Sequence, residues 1–253
     1  MPFIELESIR VDFPVFTSRS RGLVNTLFMY TKQEQRRVER AGMFGYTVHA
    51  LRDINLHLRP GERIGLVGRN GAGKTTLLRV MSGVYEPGSG RVRIEGRISS
   101  LTDIMLGMDS DANGYENIVL RGIVLGLTRK EATALIPEVA AFSELGQYLD
   151  LPVGTYSSGM MLRLAFAVST AVVPDILLMD EMIGAGDAHF VEKAQSRINN
   201  MIERVSILVI ASHNEEIIKR FCTKAILLDE GKIRHMGGVD ECLAMHREER
   251  QVP

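Results

Sequence analysis

Apolar and polar residues alternate weakly over residues 3–16, which predicts an opening strand. From Thr17 to Gly45 that pattern gives way to a basic stretch in which Leu23, Val24, Leu27 and Phe28 recur at helical spacing. Strand character returns up to Leu56-His57-Leu58. There Pro60-Gly61-Glu62 marks a turn before the apolar run Arg63-Ile64-Gly65-Leu66-Val67. After Gly68 the spacing is helical through Met81, and Pro87 to Ile98 reads as a turn-rich strand stretch. Residues 115–151 read mostly as helices, with Thr128 and Glu131 at capping-box spacing and Pro137 placed to kink or interrupt the run. A further helix is predicted over residues 158–172. Three short apolar runs follow, at residues 176–179, 207–210 and 225–228. Separated by helical stretches, they predict buried parallel strands. The expectation is an α/β chain with a helical insert near its middle.

Composition narrows this picture. A length of 253 residues allows one large domain or two small ones at roughly 100–200 residues per domain. With 45% hydrophobic and 24% charged residues, the chain can bury a substantial core. Thirty Lys+Arg against 31 Asp+Glu give a net charge of −1, so no nucleic acid partner is expected through bulk charge. Cys222 and Cys242 are too few for a disulfide framework and fit a reducing compartment. The opening residues lack the pattern of a secretion signal, and no window holds the roughly 20 uninterrupted apolar residues of a membrane span. A soluble cytoplasmic globule is expected, unless something else holds it to a membrane.

Two motifs carry chemistry. Gly68-Arg69-Asn70-Gly71-Ala72-Gly73-Lys74-Thr75 has the spacing of a phosphate-binding loop and lies between a predicted strand and a predicted helix. Its glycines let backbone N–H groups close around phosphate oxygens, and the helix start adds partial positive charge. Lys74 would reach the β- and γ-phosphates, the Thr75 hydroxyl would hold Mg²⁺, and Thr76 continues the binding segment. Further on, Ile176-Leu177-Leu178-Met179 ends in Asp180-Glu181. Buried acids need compensation, which a magnesium ion supplies. Asp180 would hold the ion through water, and Glu181 would polarise the attacking water.

Tyr156-Ser157-Ser158-Gly159-Met160 lies between these motifs and feeds an amphipathic helix. Placed after a helical insert and before the acidic strand end, it makes the chain resemble the nucleotide-binding subunit of ABC transporters. That resemblance implies a P-loop cassette with a mainly parallel core sheet, an N-terminal antiparallel β subdomain and a helical subdomain at about 115–165. The whole of residues 1–253 would form one ABC ATPase domain, with a basic insert at about 17–45. It also implies ATP as the nucleotide and a homodimer in which residues 156–160 of one copy complete the γ-phosphate site of the other. Ser157 and Gly159 match the family's usual L-S-G-G-Q, whereas Tyr156, Ser158 and Met160 depart from it. By the same resemblance Asp187, in Gly184-Ala185-Gly186-Asp187, belongs to a loop crossing the dimer interface. His213 stands where the family places its switch histidine. Phe13 is the candidate aromatic for stacking on adenine, with Phe16 or Tyr46 as alternatives.

The family's usual glutamine between the second strand block and Glu116-Asn117 is absent from residues 99–113, and Asp103 or a neighbour occupies roughly that place. This departure is similar to the branch that exports O-antigen, capsular and teichoic polysaccharides. So are Gly114-Tyr115-Glu116-Asn117, Glu144-Leu145-Gly146 and Asp187-Ala188-His189-Phe190. The implied activity is ATP hydrolysis that powers export of a lipid-linked polysaccharide through a separate multi-span transmembrane permease. The subunit would sit peripherally on the cytoplasmic face of the inner membrane. Two alternatives stand beside it: a soluble ABC ATPase of translation or DNA repair, or an exporter of another substrate. The soluble class usually carries two cassettes or a long coiled-coil insertion, for which this length leaves no room. After the last predicted strand only a short tail, residues 237–253, is expected. The basic insert carries six basic residues against two acidic ones, a local charge of +4 suited to a membrane interface or an anionic substrate.

Overall fold

In the computed structural model, residues 1–16, 38–41, 45–102, 104–180 and 188–251 are described. The chain divides into two compact units: Met1 with Phe3–Glu95 and Ile210–Pro253, and Pro2 with Gly96–Val209.

The first unit contains an antiparallel sheet built from β1 (Phe3–Phe16), β2 (Val38–Ala41), β3 (Gly45–Leu58) and β5 (Ser89–Glu95), in the order β2-β3-β1-β5. Its core side is visible in β1, where Ile4, Leu6, Ile9 and Val11 are buried. The inward positions slip by one residue between Leu6 and Ile9, where the register against β3 shifts. Ser8 there has φ 50°, and its N–H donates to Asn55 Oδ1 at 2.8 Å. A bulge of this kind adds one residue to one strand and restores the inward face beyond it, which is why the alternation of residues 3–16 reads as weak. His49 on β3 ties three strands together, with Nδ1 2.7 Å from Asp12 Oδ1 on β1 and Nε2 3.3 Å from Glu39 Oε2 on β2.

Mainly parallel pairing organises the remaining strands. In the first unit β4 (Arg63–Val67) runs parallel to β9 (Lys224–Asp229), which pairs antiparallel with β10 (Lys232–Gly238). The strands β4 and β9 are buried apolar runs, as parallel strands with covered faces require. Among the described residues, this unit includes the helices α1 (Lys74–Met81), α7 (Glu215–Phe221) and α8 (Val239–Gln251). The expected short tail after the last strand is therefore largely helix α8.

The second unit holds β6 (Ile98–Ser100), β7 (Ile176–Asp180) and most of β8 (Ile207–Ala211), in the order β8-β7-β6. Asp175 organises the start of these strands: its carbonyl accepts from the N–H groups of Ser206 and Ile207, and its carboxylate accepts from Arg97 N. Among the described residues its α-helices are α2 (Gly114–Val124), α3 (Arg129–Ala134), α4 (Ile136–Ser143), α5 (Ser158–Ser169) and α6 (Ala188–Arg204). Both capping boxes, Asn113 with Glu116 and Thr128 with Glu131, are formed. Pro137 interrupts the run as expected, in the first turn of α4, where proline's missing N–H costs nothing. Ile118, Val139, Leu149, Val153, Leu164 and Val168 form the helical core. Among the described residues, no helix is long and apolar enough to cross a membrane.

Candidate nucleotide-binding site

Strand β4 delivers the chain into the phosphate loop, and the loop's shape requires its glycines. Gly68 has φ 152°, and a Cβ there would stand 2.2 Å from the carbonyl oxygen of Leu228. Any side chain would push the loop off β9. The loop then closes on itself, with Ala72 N donating to Arg69 O at 3.1 Å, while Ala72 O accepts from Gly231 N at 3.0 Å. Gly231 lies in the turn between β9 and β10. Its carbonyl accepts from Arg52 N at 2.7 Å, and the Arg52 guanidinium donates to Glu230 O at 2.9 and 3.1 Å. Arg52, Glu230 and Gly231 are thus part of the loop's support. The sequence reading singled out none of the three; Gly231 after an apolar run is the signal that could have marked the turn, whereas nothing near Arg52 points to a partner 178 residues away.

Lys74 opens α1 and is only 8% exposed. Its ammonium lies across the loop, donating to Gly68 O at 2.7 Å and Arg69 O at 3.1 Å. The N-cap of α1 is Gly73, which supplies no side-chain cap, and the first turn carries no acidic residue. The helix's positive end is therefore not neutralised by its own side chains, which suits a phosphate. Thr75 is exposed, Thr76 is half-buried, and Arg69, Asn70 and Gly71 are exposed along the loop's outer side.

Three further candidates lie in the same unit. Phe13 is half-buried on β1 and meets Tyr85 edge-on at 5.4 Å, and Arg79 of α1 stands over the Tyr85 ring. Tyr46 pairs with Val15 further along that sheet. His213 is exposed in the turn between β8 and α7. Asn214 N donates to Ser212 Oγ at 3.1 Å across that turn, and Asn214 Oδ1 accepts from Glu216 N at 2.9 Å to cap α7.

In the second unit Asp180 is half-buried at the last position of β7. The segment Tyr156–Met160 forms the start of α5. Ser157 is its N-cap, with Oγ accepting from Met160 N at 3.2 Å, and no acidic residue lies in the first turn. Ser157 and Ser158 are exposed, and Gly159 and Met160 are half-exposed. Tyr156 has an architectural role: it packs on the helical core, and its hydroxyl donates to Tyr148 O at 2.6 Å. Burial, with Asp150 and Tyr115 nearby, raises its pKa. Glu181, Asp187, Asp103 and the side chain of Phe16 lie outside the described residues, as does most of the basic insert.

A buried strand, a braced glycine loop and a helix start without a side-chain cap together define a P-loop nucleotide-binding fold. Residues 51–184 match the ABC transporter family, and the chain belongs to that family as an ABC ATPase. It is 41% identical to the O-antigen export system ATP-binding protein RfbE of Yersinia enterocolitica, over 92% of this chain and 97% of that protein. Identity to the O-antigen export system ATP-binding protein RfbB of Myxococcus xanthus is 45%, over 79% of this chain and 46% of that protein. The teichoic acids export ATP-binding protein TagH of Bacillus cereus is 34% identical over 92% of this chain and 42% of that protein. The chain thus spans less than half the length of the latter two. These likenesses assign it to the polysaccharide-export branch of the family. Its fold also resembles a dimeric ATP-binding cassette in a post-hydrolysis state bound to ADP and Pi, with a TM-score of 0.65 and 19% identity over 93% of this chain and 98% of that one.

Proposed function

We propose that the chain is the ATP-hydrolysing subunit that powers export of a lipid-linked polysaccharide, of O-antigen or capsule type, through a separate transmembrane permease. The observation that carries this reading is the near end-to-end likeness to an O-antigen export ATP-binding protein. The chain works as a single ABC ATPase domain and as a homodimer, held peripherally on the cytoplasmic face of the inner membrane by its permease.

ATP binds with its phosphates in the 68–76 loop and its base near Phe13. Lys74 turns from the loop carbonyls to the β- and γ-phosphates, exchanging two neutral acceptors for charged ones. Mg²⁺ neutralises phosphate charge when bound. Among the described residues no cluster of three His, Cys, Asp or Glu side chains could hold a metal. That fits this ion, which takes one carboxylate, a hydroxyl, waters and substrate phosphates. Thr75 and Asp180 are the oxygen donors for it, Asp180 through water. Glu181 orients and deprotonates the attacking water, and His213 contacts the γ-phosphate. Ser157, Ser158 and Gly159 of the second copy complete the site at the start of α5, where the Ser157 hydroxyl and backbone N–H groups suit an anion. Asp187 acts across the dimer interface. Closure on ATP moves the permease, and hydrolysis reopens the pair.

The test uses the cells from which the chain comes, with and without it. Loss of the chain should leave lipid-linked polysaccharide inside the membrane. Wild type should restore surface display and Lys74→Ala should not, with nucleotide affinity of the purified variant reduced at least about tenfold by loss of a charged hydrogen bond. Full restoration by Lys74→Ala, or unchanged surface polysaccharide without the chain, would overturn the assignment.

A further inference from the structure

The C-terminal helix grips the segment that carries His213. Arg247 of α8 donates to both carboxylate oxygens of Glu215, from Nε at 3.0 Å and from Nη2. Glu215 is the first residue of α7, two residues after His213. Between them Asn214 fixes the backbone twice, through Ser212 Oγ and through its cap on Glu216 N. A guanidinium holding a carboxylate at two points sets direction as well as distance. The start of α7, and with it the turn that presents His213, is therefore anchored from α8 as well as from β8. The guanidinium of Arg247 holds the Glu215 carboxyl below the usual carboxylate range, so the pair is ionised near neutral pH. Other titratable neighbours are Lys219 on the same helix and His246 on α8. One turn before Arg247, Leu243 is buried, and Cys242 donates from Sγ to Ala225 O at 3.2 Å. The grip thus comes from a helix seated firmly on β9.

We propose that Arg247 is a positioning residue for ATP hydrolysis, acting through Glu215 to hold the His213 turn. The inference rests on the reading of His213 as the contact to the γ-phosphate. A grip that only stabilises the fold would change melting temperature, while one that aims His213 changes turnover through that residue.

The experiment measures steady-state ATP hydrolysis of the full chain for Arg247→Ala, His213→Ala and the double variant. Arg247→Ala should lower kcat about three- to tenfold with KM for ATP little changed, as expected for neighbours that couple. Arg247→Lys, which keeps one charged contact, should recover part of that loss. In the His213→Ala background Arg247→Ala should have no further effect. If Arg247→Ala does not fold, Glu215→Gln, which keeps the side chain's shape, takes its place with the same expected sign. Losses that multiply in the double variant, or normal turnover of Arg247→Ala beside an impaired His213→Ala, would overturn the positioning role alone. Normal turnover of His213→Ala would overturn both the reading of that histidine and the inference built on it.

Discussion

Gly231 donates its backbone N–H to the carbonyl of Ala72 at 3.0 Å, so the turn between β9 and β10 is a brace for the phosphate loop. The brace leaves no room for a side chain. Gly231 has φ 75°, and a Cβ there would come within 2.5 Å of Ala50 O. Gly231→Ala should therefore displace the turn and loosen the loop, although residue 231 lies far in sequence from residues 68–76. We expect nucleotide affinity to fall about tenfold, the cost of a strained left-handed alanine with a backbone clash. Calorimetric titration with ATP checks this, and affinity equal to wild type would mean that the loop keeps its shape without the brace.

Glu181 directly follows Asp180, the last residue of β7, and on the proposed role its replacement should separate binding from chemistry. Glu181→Gln keeps the side chain's size and removes the proton acceptor. ATP should bind as in wild type while turnover falls at least about a hundredfold, the range of a lost general base. The closed dimer should then persist with ATP and be seen by size-exclusion chromatography. Turnover within a few-fold of wild type would exclude Glu181 as the principal base.

Much of this site was legible from the chain itself because its physics is local. A glycine loop between an apolar strand and a helix must lie at a strand end, and residues 68–76 do. The apolar runs at 176–179, 207–210 and 225–228 became β7, β8 and β9, since runs of that length have few other ways to be buried. What escaped depends on distant partners or on small irregularities. The bulge at Ser8 blurred the alternation of β1. Pro87 to Ile98 read as one strand stretch, yet β5 (Ser89–Glu95) pairs with β1 and β6, which begins at Ile98, pairs with β7. A pattern of inward positions says nothing about which strand lies alongside. Helix α8 was missed because its charged, weakly periodic sequence, Val239–Gln251, resembles a solvated tail until Leu243 and Cys242 are seen to be buried.

By the resemblance Tyr156 would stand where the family usually has leucine, and its hydroxyl makes a hydrogen bond that leucine cannot. It donates to Tyr148 O in the turn of residues 146–150, beside the closely packed Gly114. Tyr156→Phe should cost about 1 kcal/mol, the usual net value of one hydrogen bond. Tyr156→Leu should cost more, because it also removes ring contacts with the helical core. Thermal melts rank the two variants. A melting temperature unchanged in Tyr156→Phe would show that Tyr148 O is satisfied equally well by water.

The basic insert gains a boundary from the structure. Val38–Ala41 pair with β3, and Glu39 meets His49, so the C-terminal part of the 17–45 stretch belongs to the antiparallel sheet. Residues 19–36 remain as the segment to remove. They carry Arg19, Arg21, Lys32 and Arg36 against Glu34, around the apolar Leu23, Val24, Leu27 and Phe28. A basic amphipathic segment of this kind gains about 1 kcal/mol per Lys or Arg near anionic lipid. It would act on the membrane-facing side, assisting engagement of the lipid-anchored polysaccharide. Replacing residues 19–36 with a short Gly-Ser linker should leave basal ATP hydrolysis intact, because every catalytic motif lies elsewhere in the chain. Polysaccharide export by the assembled transporter should fall in the same variant. Export at the wild-type rate would make the segment an ordinary surface loop, and loss of both activities would assign it to the cassette's own stability.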